Sequence, residues 1–350
     1  MKKINIGIVG CGNISGIYFK NLSEMFDNTN IYAVADLNTE VAKTAAEKLN
    51  CKVLTFEQML ETAEIEIILN LTTPQSHFDI CKRTLMAGKN VYVEKPLSLS
   101  FENGKELVEL AEQKGLMLGC APDTFLGGGI QTCRQLIDDG IVGDVIGANA
   151  FMLCRGHESW HPAPEFYYKK GGGPMFDMGP YYLTALVHLA GQIKQVNGMT
   201  NMTFPTRTIT SEPLNGKIVD VEVPTHVNGT LRFLNGGIGN IVTSFDVCGT
   251  TCPRIEIYGS KRTLIVPDPN MFEGPVLMSN DAGGFDEMPI TKPNCENSRG
   301  IGVSDMAQCI IEGRTNNKAS GHLANHVLEI MCGIHTSSNN GRVYEMTTSI

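Results

Sequence analysis

Two hydrophobic rhythms divide the chain. Up to about residue 121, short apolar runs of strand length alternate with stretches whose apolar positions recur at helical spacing. Strands are predicted at 4–9, 31–35, 65–71, 90–93 and 116–120, with helices from about 18 to 25 and at 39–49, 75–87 and 101–114. This alternation predicts a parallel sheet with right-handed crossovers, whose ligands bind at the carboxyl ends of the strands. From about residue 122 the rhythm changes to long runs rich in Val, Ile and Thr, at 145–153, 196–203, 226–233, 238–247, 254–258 and 263–266. Helices are fewer, at 131–139, 178–190, 302–312 and 322–338, and Asn235-Gly236-Gly237 marks a hairpin. The expected fold class is therefore α/β plus α+β. A Rossmann-type parallel-sheet domain occupies 1–121, and a domain with a mainly antiparallel, open sheet occupies 122–350. Helices would cover one face of that second sheet. A second copy of the chain would most simply cover the other, so a homo-oligomer is expected.

Length agrees with two domains, since single cores stop growing at roughly 250–300 residues and the chain has 350. A net charge of -9, with no cluster of lysines or arginines, argues against nucleic acid or an anionic membrane surface as partner. The longest apolar runs, such as 65–71, fall well short of the roughly 20 residues a bilayer span needs. Asn5 and Gly7 interrupt the first apolar run, which reads as a strand rather than a signal peptide, and a cytoplasmic chain is expected. Eleven cysteines are scattered without a Cys-x-x-Cys pair, and Cys248 and Cys252 come nearest to a metal spacing. Reduced, mostly buried thiols are expected, and no metal.

The first strand breaks into Gly10-Cys11-Gly12-Asn13-Ile14-Ser15, and a helix follows. Gly10 permits a tight turn, Gly12 lets the backbone approach a pyrophosphate, and the helix N-terminus offers N–H groups to it. Ser15 takes the third glycine position and is small enough for close packing. Asp36 ends the second strand, 21 residues after Ser15, near the roughly 20 expected of a ribose-binding carboxylate. Such a carboxylate repels a 2′-phosphate, and no arginine follows directly, so NAD is expected rather than NADP. Its other use would be to cap the helix at 39–49. Asn70, Thr72, Thr73 and Pro74 lie at one later strand end, and Glu94-Lys95-Pro96 at the next. His77 either lines the cofactor site or packs the start of its helix.

In the second half, Trp160, His161 and Tyr168 share a segment with His157, just before Gly171-Gly172-Gly173 and a helix start at Asp177. Asp177 is expected as the N-cap of a helix with Pro180 in its first turn. At helical spacing Asp177, Tyr181, Thr184 and His188 share one polar stripe on an otherwise apolar helix, which suits a buried helix facing a polar cleft. His188 lies about 16 Å from Asp177 along such a helix, too far to share one small substrate, and reads as a packing residue.

Together, Gly10-Cys11-Gly12-Asn13-Ile14, Asp36, Thr73-Pro74, Glu94-Lys95-Pro96 and Gly171-Gly172-Gly173 leading to Asp177-Met178-Gly179-Pro180-Tyr181 resemble the family of glucose–fructose oxidoreductase, inositol dehydrogenase and MocA, which are NAD(P)-dependent oxidoreductases. The resemblance spans essentially the whole chain. It implies that Lys95 is catalytic beside the nicotinamide, that Glu94 and the Lys–Pro segment shape the cofactor site, and that Asp177 meets substrate. Inositol dehydrogenases carry histidine four residues after that aspartate. This chain has Tyr181, as glucose–fructose oxidoreductase does, which favours tyrosine as the acid/base. The segment 160–168 is similar to that of members acting on sugars and glycosides, including those that form 3-keto sugars. The expected reaction is oxidation of a secondary hydroxyl to a ketone, with an inositol or other polyol as the alternative substrate. Either Tyr181, its pKa lowered from about 10 by the nearby ammonium, or Lys95 itself takes the proton. Asp177 and His161 would bind neighbouring hydroxyls, and Trp160 or Tyr168 would offer an aromatic face. Two other readings use the same scaffold: a non-catalytic NAD-binding regulator, and a reductase of imines or enones.

Overall fold

The computed structural model describes residues 2–350. Its first unit contains residues up to Leu126 together with Asn297–Leu328, and its second contains Gly127–Glu296 with Glu329–Ile350. In the first unit the chain runs β1 (Ile4–Val9), α1 (Ser15–Glu24), β2 (Thr29–Ala35), α2 (Thr39–Leu49), β3 (Lys52–Val53), α3 (Phe56–Glu61), β4 (Ile67–Asn70), α4 (Pro74–Met86), β5 (Asn90–Val93), α5 (Phe101–Lys114) and β6 (Leu118–Cys120). The strands form a sheet in the order β3-β2-β1-β4-β5-β6, and every neighbouring pair is parallel. β4 is buried at every position, which explains its run of three apolar residues before Asn70: a parallel sheet is covered on both faces. Local chemistry stops the helices. α5 starts at Ser100, whose hydroxyl accepts the Asn103 N–H at 3.3 Å, and ends at Gly115 in the left-handed region. β3 and α3 were not anticipated, since a two-residue strand and a six-residue helix show no period. α3 still carries a capping box, Thr55 with Gln58, and it buries Met59 completely against Val9, Ala33, Ile65 and Ile68.

The second unit runs α6 (Gly128–Asp138), β7 (Val145–Leu153), α7 (Gly173–Asp177), α8 (Gly179–Ala190), β8 (Ile193–Asn201), β9 (Thr206–Thr208), β10 (Ile218–Asp220), β11 (His226–Phe233), β12 (Ile238–Ser244), β13 (Ile255–Gly259), β14 (Thr263–Val266), β15 (Val276–Ser279) and β16 (Phe285–Met288), and later adds β17 (Tyr344–Glu345). β9 and β10 pair as a separate hairpin. The other strands make one sheet, ordered β16-β15-β14-β13-β7-β12-β11-β8-β17, antiparallel except where β7 meets β12. Alternation is clean in β11. Val227, Gly229, Leu231 and Phe233 face inward, while Asn228, Thr230 and Arg232 are exposed. Gly236 joins β11 to β12 at φ +93, as the hairpin signal predicts.

The remaining helices are α9 (Ile301–Glu312) and α10 (Gly321–Asn340). In the second unit, α10 lies on the sheet so closely that a Cβ at Gly229 would sit 2.6 Å from Ile334 Cδ1. Residues 297–328, which the linear division assigns to the second domain, pack in the first unit instead, and that unit keeps the chain to Leu126 rather than residue 121. Hydrogen bonds secure the return. Asp123 Oδ2 accepts the Gly300 and Gly302 N–H groups at 2.8 and 3.0 Å, and Asn21 Nδ2 donates to the carbonyls of Asn297 and Arg299. Among the described residues no helix is long and apolar enough to cross a membrane.

Asp123 is 1 % exposed, and burial pushes its carboxyl up from 3.8 to about 6 even though the two amides pull the other way. A folded value above the unfolded one gives stability that is fully present below about pH 4 and lost as pH rises through 6. Asp123→Asn keeps an acceptor but cannot titrate. Denaturant unfolding from pH 4 to pH 7 should show wild type losing up to about 3 kcal/mol more than this variant. Parallel pH curves for the two proteins would contradict the assignment.

Candidate active site

The first cluster of candidate residues lies where strand order reverses, between β1 and β4. Gly10 ends β1 at φ +99, and a Cβ there would be 2.7 Å from the Leu71 carbonyl carbon and oxygen. Only glycine fits. Its N–H donates to the Ala35 carbonyl at 2.8 Å. Asp36, just beyond β2, accepts the Cys11 N–H on Oδ2 and the Asn38 N–H on Oδ1, both at 2.8 Å. It is not the cap of α2; Asn38 is, accepting the Glu40 N–H at 3.1 Å. Asp36 thus ties the glycine turn to the end of β2, where a ribose-binding carboxylate is expected.

Gly12 behaves differently from Gly10. No atom lies within 4 Å of its would-be Cβ, so nothing in the protein requires glycine there. Gly12, Asn13 and Ile14 are exposed on this turn, and α1 starts without a side-chain cap. Open space before an uncapped helix N-terminus suits a pyrophosphate, so the residues present fit a dinucleotide. Ser15 holds the turn shut, its hydroxyl donating to the Gly12 carbonyl at 2.7 Å.

At the ends of β4 and β5 two side chains turn inward. His77, read either as lining the cofactor site or as packing the start of its helix, is fully buried. Its Nδ1 faces the Pro96 carbonyl at 2.7 Å and its Nε2 the Thr72 carbonyl at 3.1 Å. Burial lowers its pKa and favours the neutral ring. Glu94 is likewise a brace. Its Oε1 accepts the Tyr18 hydroxyl at 2.7 Å and its Oε2 the Lys95 N–H at 2.9 Å, both below the surface. Burial and this carboxylate push the Tyr18 hydroxyl well above its usual pKa. Thr72 gives its hydroxyl to Asn70 Oδ1 at 2.7 Å, and Thr73 is exposed before Pro74 at the first turn of α4. Lys95 follows β5 half-buried, its main chain fixed by Glu94.

The second cluster is in the second unit. Asp177 is the last residue of α7 and not the N-cap of the next helix, which begins at Gly179. The break has a physical cause. In a continuous helix the Pro180 ring would strike the Phe176 carbonyl, and its missing N–H would leave that carbonyl unpaired. Asp177 Oδ2 lies 3.5 Å from His157 Nε2, with the two side chains 17 % and 11 % exposed. Tyr181 occupies the first turn of α8 and is buried. His188 meets Gln131 Nε2 at 2.9 Å, as a packing histidine would.

His157 is enclosed by aromatic rings: Trp160 at 5.2 Å, Tyr167 at 4.2 Å and Phe245 at 4.6 Å between centroids. Tyr168, expected to offer a ring face to substrate, is fully buried instead. Its hydroxyl accepts the His157 N–H at 3.4 Å, and burial pushes its pKa up. The Arg207 guanidinium lies 5.3 Å from the centre of its ring. Arg207 also pairs with Glu158 at 2.9 Å and with Asp246, all three being buried or nearly so. That charge cluster anchors the segment carrying His157. Trp160, by contrast, is exposed. His161 is half-buried, its Nδ1 accepting the Ala163 N–H at 3.0 Å, and burial lowers its pKa. Sequence reasoning missed the pairing of His157 with Asp177, although His157 precedes His161 by four residues in the same aromatic segment. Nothing in sequence marked Arg207. Among the described residues no group of three or more His, Cys, Asp or Glu side chains is arranged to hold a metal.

Comparison with known proteins adds a family-level match. A model described as an oxidoreductase family with an NAD-binding Rossmann fold matches residues 4–121, and a GFO/IDH/MocA C-terminal domain model matches residues 130–265. An uncharacterised oxidoreductase of Schizosaccharomyces pombe is 28 % identical over 55 % of this chain, and the chain spans 53 % of that relative's length. Myo-inositol 2-dehydrogenase of Thermotoga maritima is 23 % identical, over 80 % of this chain and 79 % of its own. Among solved structures, levoglucosan dehydrogenase in complex with NADH superposes with a TM-score of 0.84 at 18 % identity, covering 99 % of this chain and 100 % of the other.

The two glycines of the turn should respond oppositely to a methyl group. Gly12→Ala is expected to unfold within about 0.5 kcal/mol of wild type while weakening NAD about tenfold or more, because the methyl fills the space the pyrophosphate needs. Gly10→Ala should lose at least about 1–3 kcal/mol of stability from its positive φ alone. Chemical denaturation and a nucleotide titration on both variants check this. Unchanged NAD affinity in Gly12→Ala would remove the turn from the cofactor site.

Proposed function

Because the chain belongs to the GFO/IDH/MocA oxidoreductase family, we propose that it oxidises a secondary hydroxyl of a sugar or glycoside to a ketone, using NAD. The observation that carries this reading is the pairing of half-buried Asp177 with His157 among aromatic rings, which suits a ligand with both hydroxyls and apolar ring faces. When bound, the nicotinamide supplies the hydride acceptor. Gly10, Gly12, Asn13 and Ile14 would hold the pyrophosphate against α1, and Thr72, Thr73 and Pro74 would border the cofactor. Asp36 would accept ribose hydroxyls, and its charge opposes a 2′-phosphate, which favours NAD over NADP.

The substrate carbon gives up a hydride and its oxygen a proton, leaving a ketone. Lys95 or Tyr181 takes that proton. Asp177 accepts hydrogen bonds from substrate hydroxyls, with His161 nearby in the same segment as a further contact. The C3 hydroxyl of a glucosyl unit is the first position to test. Cyclic polyols are the second reading, favoured by the similarity to the Thermotoga enzyme. We place the protein in the cytoplasm, consistent with eleven cysteines that are all free thiols. We also propose a homo-oligomer formed through the outer face of the nine-stranded sheet; light scattering that returns a monomer at working concentration would dismiss it.

Incubating the protein with NAD and a panel of sugars, glycosides and inositols should produce reduced nicotinamide absorbance with at least one of them. Lys95→Ala should lower that turnover by at least about 100-fold without loss of nucleotide binding. Turnover close to wild type would sink the role given to the lysine.

A further inference from the structure

We propose that the aromatic cluster around His157 is a subsite for a second ring, and that the preferred substrate is a neutral glycoside rather than a free monosaccharide. This rests on the reading above, in which Asp177 meets the sugar that is oxidised. The rings of His157, Trp160, His161, Phe166 and Tyr167 form a closed circuit, with successive centroids 5.2, 5.4, 5.4, 4.0 and 4.2 Å apart. Its inner member touches Asp177, and its outer members Trp160 and Phe166 are 61 % and 54 % exposed. Apolar surface therefore leads outward from the carboxylate into solvent. A single exposed hydrophobic residue is ordinary, but two large rings on one packed cluster beside a half-buried carboxylate mark a binding surface. Trp160 meets His157 and His161 edge-to-face, at 81° and 75°, and stacks on neither. A flat, solvent-facing surface is thus left for a ligand. The electron-rich face of an aromatic ring favours the C–H face of a pyranose, or the offset ring of an aryl group. Two lysines nearby are already paired, Lys217 with Glu165 at 2.6 Å and Lys169 with Glu222 at 2.8 Å, which favours an uncharged ring over a phosphorylated one.

Trp160 is the chain's only tryptophan, so its emission reports this surface directly. Titration of the full chain with cellobiose or phenyl β-D-glucoside should change that emission saturably, and glucose should not. In NAD-coupled assays kcat/KM for cellobiose should exceed that for glucose by about tenfold or more. That ratio should fall towards one in Trp160→Ala and in Phe166→Ala, and Trp160→Phe should restore it. Equal use of glucose and cellobiose by wild type, or a ratio that survives both alanine variants, overturns the subsite. The two readings fail separately. Emission changes with cellobiose but no oxidation of any sugar would remove the reaction and keep the subsite. Glucose oxidation with no cellobiose response would do the reverse.

Discussion

A backbone crossing with no room for a methyl group sets the geometry of the first unit. Where β1 and β4 part, Gly10 passes so close to the Leu71 carbonyl that any side chain would collide with main chain, which cannot swing aside. The carboxyl ends of both strands are thereby fixed, together with the turn that opens α1 and the start of α4. Asp36 depends on the same crossing, because the N–H it accepts belongs to Cys11, the residue after Gly10. Side chains around this crossing, Asp36 and Ser15 among them, hold that main chain still.

The first unit was largely legible in sequence because a parallel sheet forces its chemistry onto local signals. Buried strands must read as apolar runs, and the turn after β1 needs its glycine at position 10. His77 and Glu94 sit at the strand ends where spacing places them, and their side chains turn inward to bind neighbouring groups. Spacing along a chain shows which end of the sheet a residue occupies, not whether its side chain turns up towards a ligand or down among its neighbours. Residues 297–328 were misassigned for a related reason. The amides that Asp123 holds lie almost 180 residues downstream, and no local pattern announces so distant a contact.

In the second unit, sequence identified the right segment and misjudged its details. Asp177 was read as a helix cap because glycines precede it, but Pro180, three residues later, breaks the helix and leaves Asp177 at the end of a short one. The carboxylate that would have faced its own backbone amides meets His157 instead. Tyr168 and Trp160 looked equivalent in sequence, both aromatic and eight residues apart. The charge cluster of Arg207, Glu158 and Asp246 separates them, drawing Tyr168 inward while Trp160 stays in solvent.

His77 brings a further consequence. A neutral imidazole carries one N–H, yet this ring faces a carbonyl at each nitrogen. One hydrogen therefore serves two loops, and the carbonyl that does not receive it looks onto a lone pair. The tautomer decides which side holds the hydrogen and which takes the repulsion. A tautomer exchange would reverse that bias without moving a charge. The peptide after Pro96 and the loop after β4 are in this way joined through a single proton, so a displacement of one changes the force on the other.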